Sequence, residues 1–296
     1  MHGRVSLVKT CDRAIGIRKA IRLLGVNPVA GRRVLLKPNF NSADPYPAST
    51  HNDTLSELSL ALLELEARAV TIGERSGPSP THRVFREKGV DELCRSLGIE
   101  LINFEALPDD DWVRVRPARC LWQNGFRVAR PVLEAERIVT TCCLKTHAAG
   151  GVYTAALKLG VGIIHKDHRL ELHAGAEDTR SLIADVNLVY RPDLILLDAI
   201  EAFTEGGPIS GLKKRADVIL AGTDRIAIDA VGLAILKELG SNRDIMDTAI
   251  FAQGQIARAI EVGLDKVRHP EEIEIITADD KSRTYANRLA QILLSN

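Results

Sequence analysis

Several things are missing from this chain of 296 residues, and each absence removes a class of function. Lys plus Arg and Asp plus Glu balance at 39 each, so no overall field draws in nucleic acid or an anionic membrane. Any anion site must be a local cluster. No apolar run approaches the roughly 18 residues that a membrane helix needs. The first residues, Met1-His-Gly-Arg-Val-Ser-Leu-Val-Lys, lack the apolar core of a signal peptide, so the expected compartment is the cytoplasm. The five cysteines (Cys11, Cys94, Cys120, Cys142, Cys143) contain no Cys-x-x-Cys pair. Neither a zinc ribbon nor an iron–sulfur cluster is therefore expected, and no disulfide framework either. Gly-x-x-x-x-Gly-Lys-[Ser/Thr] is absent, and no β-type run is followed by Gly-x-Gly-x-x-Gly, so neither nucleotide fingerprint is present. Internal repeats, low-complexity tracts and long linkers are absent too.

What is present is ordinary globular composition, 45% hydrophobic and 26% charged, in a chain long enough for a large core. β-type runs at residues 4–10, 33–37, 69–74, 100–104, 137–145, 193–198, 216–221 and 272–277 alternate with helical patterns. Those patterns fall at 11–24, 53–67, 80–88, 151–159, 181–189, 225–239, 248–262 and 281–294. Such alternation predicts an α/β fold: a mostly parallel open sheet with helices on both faces. The run Leu194-Ile-Leu-Leu fits a strand buried on both sides. Residues 41–52 read as an exposed loop. The alternating Trp112-Val-Arg-Val-Arg and Phe126-Arg-Val-Ala-Arg predict a small antiparallel excursion, a β subdomain at 106–131 within one α/β domain spanning 1–296.

The chemistry gathers where the β-type runs end. Ligands of open α/β sheets bind outside the carboxyl ends of the strands. Here those ends read Lys37-Pro-Asn39, Glu74-Arg-Ser-Gly, Lys145-Thr-His147, Asp198 and Gly222-Thr-Asp224. Loops are polar in any protein, and that accounts for many of these residues singly. It accounts less well for Lys37 and Lys145, because a lone ammonium after a buried run is costly unless an anion or carboxylate answers it. Lys37 with Asn39 is a candidate for a substrate carboxylate or phosphate; a structural pair with Glu74 or Asp198 weighs equally. Lys145, Thr146, Gly150 and Gly151 form a second candidate anion cradle, because glycines before a helix let amide groups approach a ligand. Lys158 is either a third binding lysine or a snorkelling surface lysine. Asp224 reads first as a helix cap, and Glu205-Gly-Gly-Pro-Ile-Ser-Gly as a loop able to cover a ligand.

His165, His168 and His173 form a candidate divalent-metal set for zinc, iron or nickel, although Lys166 and Arg169 among them disfavour a cation. Acid–base work by these histidines weighs more heavily. His147 or His168 is the candidate for moving a proton, with Glu74 or Asp198 orienting it.

The pieces Leu36-Lys-Pro-Asn-Phe, Ile72-Gly-Glu, Lys145-Thr-His, Ala156-Leu-Lys-Leu-Gly-Val-Gly, Asp198-Ala-Ile-Glu-Ala-Phe-Thr-Glu-Gly-Gly-Pro and Asp224-Arg-Ile-Ala-Ile-Asp-Ala occur in this order. Over most of residues 30–275 the chain thus resembles the domain-of-unknown-function 362 family. That resemblance implies no reaction. Many members carry an added ferredoxin-like segment with clustered cysteines, which this chain lacks. The residues lead to an enzyme for a small anionic substrate, His-assisted and with a metal as candidate cofactor. The alternative is a non-catalytic metabolite- or metal-binding protein, or an accessory protein for cofactor or metalloenzyme maturation. No nucleic-acid or membrane partner is expected, and a homodimer is the default assembly.

Overall fold

The computed structural model describes residues 3–148, 150, 152–173 and 176–295, with the side chains of 176–178 outside the description. Its strands are β1 (Gly3–Lys9), β2 (Arg33–Lys37), β3 (Ala69–Glu74), β4 (Glu100–Asn103), β5 (Trp112–Val115), β6 (Phe126–Ala129), β7 (Arg137–His147), β8 (Val152–Thr154), β9 (Leu194–Gly206), β10 (Gly211–Gly222) and β11 (Ile273–Ile276). Nine of them form one sheet in the order β11-β1-β10-β9-β7-β2-β3-β4, with β8 added onto β7. Parallel pairing joins β11 to β1, β9 to β7, β7 to β2, β2 to β3 and β3 to β4; β10 and β8 run against their neighbours. The excursion expected near 110–130 is present as the antiparallel pair β5–β6.

The helices are α1 (Arg13–Leu24), α2 (Asn52–Glu64), α3 (Thr81–Glu87), α4 (Val90–Leu97), α5 (Arg130–Leu133), α6 (Ala156–Leu159), α7 (Arg169–Leu172), α8 (Ala176–Val186), α9 (Arg225–Leu239), α10 (Arg243–Met246), α11 (Gly254–Glu261) and α12 (Asp280–Leu294). They cover both faces because the central strands are apolar on both. Val34, Leu36, Leu194 and Leu196 pack with α1, α2 and α4, whereas Ile195, Leu197, Cys142 and Leu144 pack with α9, α11 and α12. Successive strand residues point to opposite faces, so each continuous apolar run feeds two cores. Leu35 and Ile138 join a third cluster with Trp112, Trp122, Phe126 and Val128, which seats the β5–β6 pair beside the sheet.

Four expectations need correction. The helix read over 151–159 is instead β8 followed by the four-residue α6, because Val152-Tyr-Thr pairs antiparallel with Lys145-Thr-His. Residues 41–52 are largely buried rather than exposed: Tyr46 Oη donates to Asp198 Oδ1 at 2.7 Å, and Ala48, Ser49 and Thr50 pack beneath it. The strand ending at Gly222 runs antiparallel, so Asp224 lies at the opposite edge, where it caps α9 through the amide of Ala227. The helix read over 248–262 shortens to α11, preceded by a turn at Ile250–Ala252. No described helix is long and apolar enough to cross a membrane.

Asp229, fully buried on α9, fastens this hairpin-and-turn in place. It accepts from Tyr153 Oη (3.0 Å) and from the amides of Ala156 (2.6 Å) and Leu157 (3.3 Å). Burial nevertheless raises its pKa from 3.8 to about 7. The folded state then keeps a proton that the unfolded chain releases, so stability falls as pH rises from about 4 to about 7. Asp229→Asn should flatten that slope. In urea titrations across this range, the variant should gain on the parent by on the order of 4 kcal/mol, at about 1.4 kcal/mol per pKa unit. Parallel curves for the two proteins would contradict the assignment.

Candidate anion-binding active site

Because β7, β2 and β3 are adjacent and parallel, their C-terminal ends open onto the same edge of the sheet. Lys37 and Asn39 come from the end of β2, Glu74 and Arg75 from β3, and Lys145 and His147 from β7. All six line one cavity of about 250 Å³. Thr154, opposite Lys145 in the β7–β8 ladder, and Lys158 on α6 complete the floor. Arg169 and His173, at the two ends of α7, stand at the wall, as do Pro208 and Ile209 from the β9–β10 turn. Two glycines permit this closeness. A Cβ on Gly162 would fall 2.5 Å from Glu74 Oε1 and 2.6 Å from Lys37 Nζ. Gly207 has φ +67°, and a Cβ there would fall 1.9 Å from the carbonyl of Thr146. Side chains at these points would push the turn or the α6 segment off the strand ends.

Five cations, Lys37, Arg75, Lys145, Lys158 and Arg169, face one carboxylate, Glu74. Glu74 is committed. It pairs with Lys37 Nζ at 2.6 Å and accepts from the amides of Phe40 and Arg75, both at 2.8 Å. Burial drags Lys37 down and pushes Glu74 up, each toward neutrality, and their mutual attraction opposes both shifts. Lys145 donates to the carbonyl of Ala48. Lys158 has no hydrogen-bond or ion-pair partner among the described residues. Burial lowers both of these lysines to about 8, and for Lys158 the neighbouring Lys145 adds to the effect. His147 falls to about 2, first through burial and then through Lys158 and Lys145, so its imidazole is neutral. Asn39 Oδ1, Arg75 Nε, His147 Nδ1 and Thr154 Oγ1 are all buried without a partner among the described residues.

Such a cradle at the ends of these strands belongs to the stretch that relates the chain to others. The family model described as "Domain of unknown function (DUF362)" matches residues 34–234. The chain belongs to this family. Every cavity-lining residue named above falls inside the matched stretch. No curated protein matches the sequence. Among solved structures, the chain is similar to the lactate racemase apoprotein from Thermoanaerobacterium thermosaccharolyticum, with a TM-score of 0.50 at 11% identity. The likeness covers 97% of this chain and 86% of that one. At such identity it speaks to the fold.

Not all residues singled out in this family member converge. Thr146 alternates with Lys145 and His147 along β7, so its side chain leaves on the other face, outside the cavity. Gly150 does not line the cavity, and Gly151 lies outside the described residues. Asp198 is removed from the cavity and occupied by Arg13 Nε (2.9 Å), Thr54 Oγ1 (2.6 Å) and Tyr46 Oη. Nor does His168 reach it: His168 Nε2 accepts from the amide of Arg127 at 2.8 Å, with its ring edge-on to Trp122. His165 sits against Trp112, its Nδ1 2.8 Å from Arg127 Nη2, which also binds Asp167 at 2.9 Å.

The triad His165, His168 and His173 is therefore not assembled. Arg127 occupies the first two, its guanidinium at His165 and its backbone amide at His168, and of the three only His173 lies on the cavity wall. Among the described residues no group of three His, Cys, Asp or Glu could hold a metal ion. Arg75, Thr154 and Arg169 line the cavity but were passed over in the sequence. Arg75 directly follows Glu74 at a strand end, which was a usable signal; Thr154 was hidden by the helical reading of its segment.

The Lys37–Glu74 pair yields a stability test. Lys37→Met strands a buried carboxylate and should cost about 3–5 kcal/mol in chemical denaturation. Lys37→Met combined with Glu74→Leu, which removes both charges, should be less destabilised than the single variant. Simple additivity of the two losses would show that the pair is not the energetic unit.

Proposed function

We propose that this chain is an enzyme that binds a small carboxylate or phosphate ester in the strand-end cavity and moves a proton on it. The observation that carries the reading is the mismatch inside the cavity. Four cations remain after Glu74 is assigned to Lys37, beside four buried polar atoms without partners among the described residues. Native proteins keep such groups only rarely, and a ligand that accepts from lysine, arginine and hydroxyl would satisfy most of them together. An anion answers both deficits.

In this reading Lys145 and Lys158 grip the anion while protonated. With pKa values of about 8, either can also give or take a proton near neutral pH. His147 is a poor base by itself, since burial first and then the Lys158 and Lys145 ammonium groups hold its pKa near 2. An anion seated among them offsets the charge part of that shift and raises the basicity of Nδ1, which has no partner among the described residues. The fold neighbour's name, lactate racemase, attaches this architecture to a small hydroxycarboxylate and supports a carboxylate of similar size here. Metal ligation at His165, His168 and His173 has no assembled ligand set to support it, so the proposal rests on the lysines.

Calorimetric titration with lactate and with inorganic phosphate tests this reading. Binding should be strongest below pH 8 and weaken as pH rises through about 8, because the gripping lysines then lose their protons. Lys158→Met should weaken it about 10- to 100-fold, the loss of one charge-assisted hydrogen bond. His147→Gln should bind but fail to exchange the carbon-bound proton of lactate or a related 2-hydroxy acid with deuterium, as followed by NMR. If neither anion binds the folded protein, the reading is wrong.

A further inference from the structure

We infer that the cavity takes a ligand with two anionic groups, held at separate cationic poles on either side of the Lys37–Glu74 pair. The inference rests on the anion-binding reading above and deepens it to a substrate class.

The sheet order sets the poles apart. β7, which supplies Lys145, and β3, which delivers Arg75, are separated by β2. Two inter-strand spacings put these strand ends roughly 10 Å apart. At the β7 pole stand Lys145, Lys158 and Thr154, the last two without a side-chain partner among the described residues. At the β3 pole stands Arg75, whose two terminal nitrogens are spent on the carbonyls of Ser76 (2.9 Å) and Val161 (2.8 Å). Its Nε is buried and has no partner among the described residues. Arg169 joins it there, its Nη1 3.5 Å from the carbonyl of Gly77 just past β3.

Between the poles the Lys37–Glu74 contact is nearly neutral and already closed at 2.6 Å. The nearest other acids do not close the account. Glu105 acts on Arg75, and Asp44 on Lys145, but neither lines the cavity. Glu105 accepts from the amide of Thr81, and Asp44 from Ser42 Oγ. A ligand with one anionic head leaves the buried cation of the other pole, Lys158 or Arg75, without a counter-charge, which is costly. A short chain with an anion at each end answers both. The volume of about 250 Å³ limits the ligand to a small metabolite, in the class of dicarboxylates and phosphorylated carboxylates.

The test is titration calorimetry on the full chain at pH 7. Acetate, butyrate and inorganic phosphate serve as single-headed probes; succinate, glutarate, adipate and 3-phosphoglycerate as two-headed ones. At least one two-headed probe should bind tenfold or more tighter than every single-headed probe. Arg75→Gln and Arg169→Gln should each reduce that advantage to threefold or less, whereas Lys158→Met should weaken both kinds. Thermal melts report folding; if Arg75→Gln fails to fold, Arg169→Gln, on the exposed side of α7, decides alone. Two-headed probes that bind no tighter than single-headed ones overturn this inference and leave the anion site standing. An advantage that survives Arg169→Gln overturns it equally. Failure of every probe to bind removes the anion site itself.

Discussion

The Lys37–Glu74 contact is the constraint on which the strand-end region is built. It joins β2 to β3 at the point where both leave the sheet, and Glu74 also holds the amide of Phe40 at the start of the buried loop. A buried ion pair contributes little net stability, since desolvation consumes most of the attraction. Its effect here is positional. Glu74 is hydrogen-bonded to Lys37 and to two backbone amides, and although its charge also reaches Lys145 and Arg75, no second carboxylate lines the wall for the four remaining cations. One pair both shapes the cavity and leaves it electropositive.

A second polar knot does similar work one layer away without forming a site. Asp198 gathers Arg13, Thr54 and Tyr46, drawing α1, α2 and the 41–50 loop onto β9. Its oxygens are all spoken for. That loop then offers the carbonyl of Ala48 to Lys145, so the Asp198 knot positions a cavity lysine indirectly. The contrast is instructive: both carboxylates follow buried strands, yet one faces a hollow and the other is filled with partners.

That contrast marks how far the sequence was legible. Alternating apolar runs disclosed the α/β sheet, most strand positions and the β5–β6 pair, because burial on two faces leaves a continuous apolar signature. The lysines at strand ends were legible for the same reason, as charges that buried runs do not tolerate unanswered. Strand direction was not legible, and β10 shows why: its apolar run is as continuous as those of the parallel strands, although it returns through a hairpin and runs against both its neighbours. The side chains of His165 and His168 were illegible too. Their spacing suggested ligands, but Trp112, Trp122 and Arg127, from the separate β5–β6 region, claim both rings. Local spacing cannot report a partner some 40 residues away. Thr154 was lost because a strand of three residues is too short for its period to register.

The same burial that makes the cavity lysines expensive also makes them useful. In water an ammonium holds its proton until about pH 10.4. Inside this cavity burial lowers both Lys145 and Lys158 to about 8, and for Lys158 the charge of Lys145 adds to the effect. An arriving anion reverses the balance, since it stabilises each charged form at close range. In the proposed reading, binding at pH 8 and above is then coupled to proton uptake. Under the proposed function, such a site needs no separate device to ready its acid–base groups; the charge of the bound anion sets them.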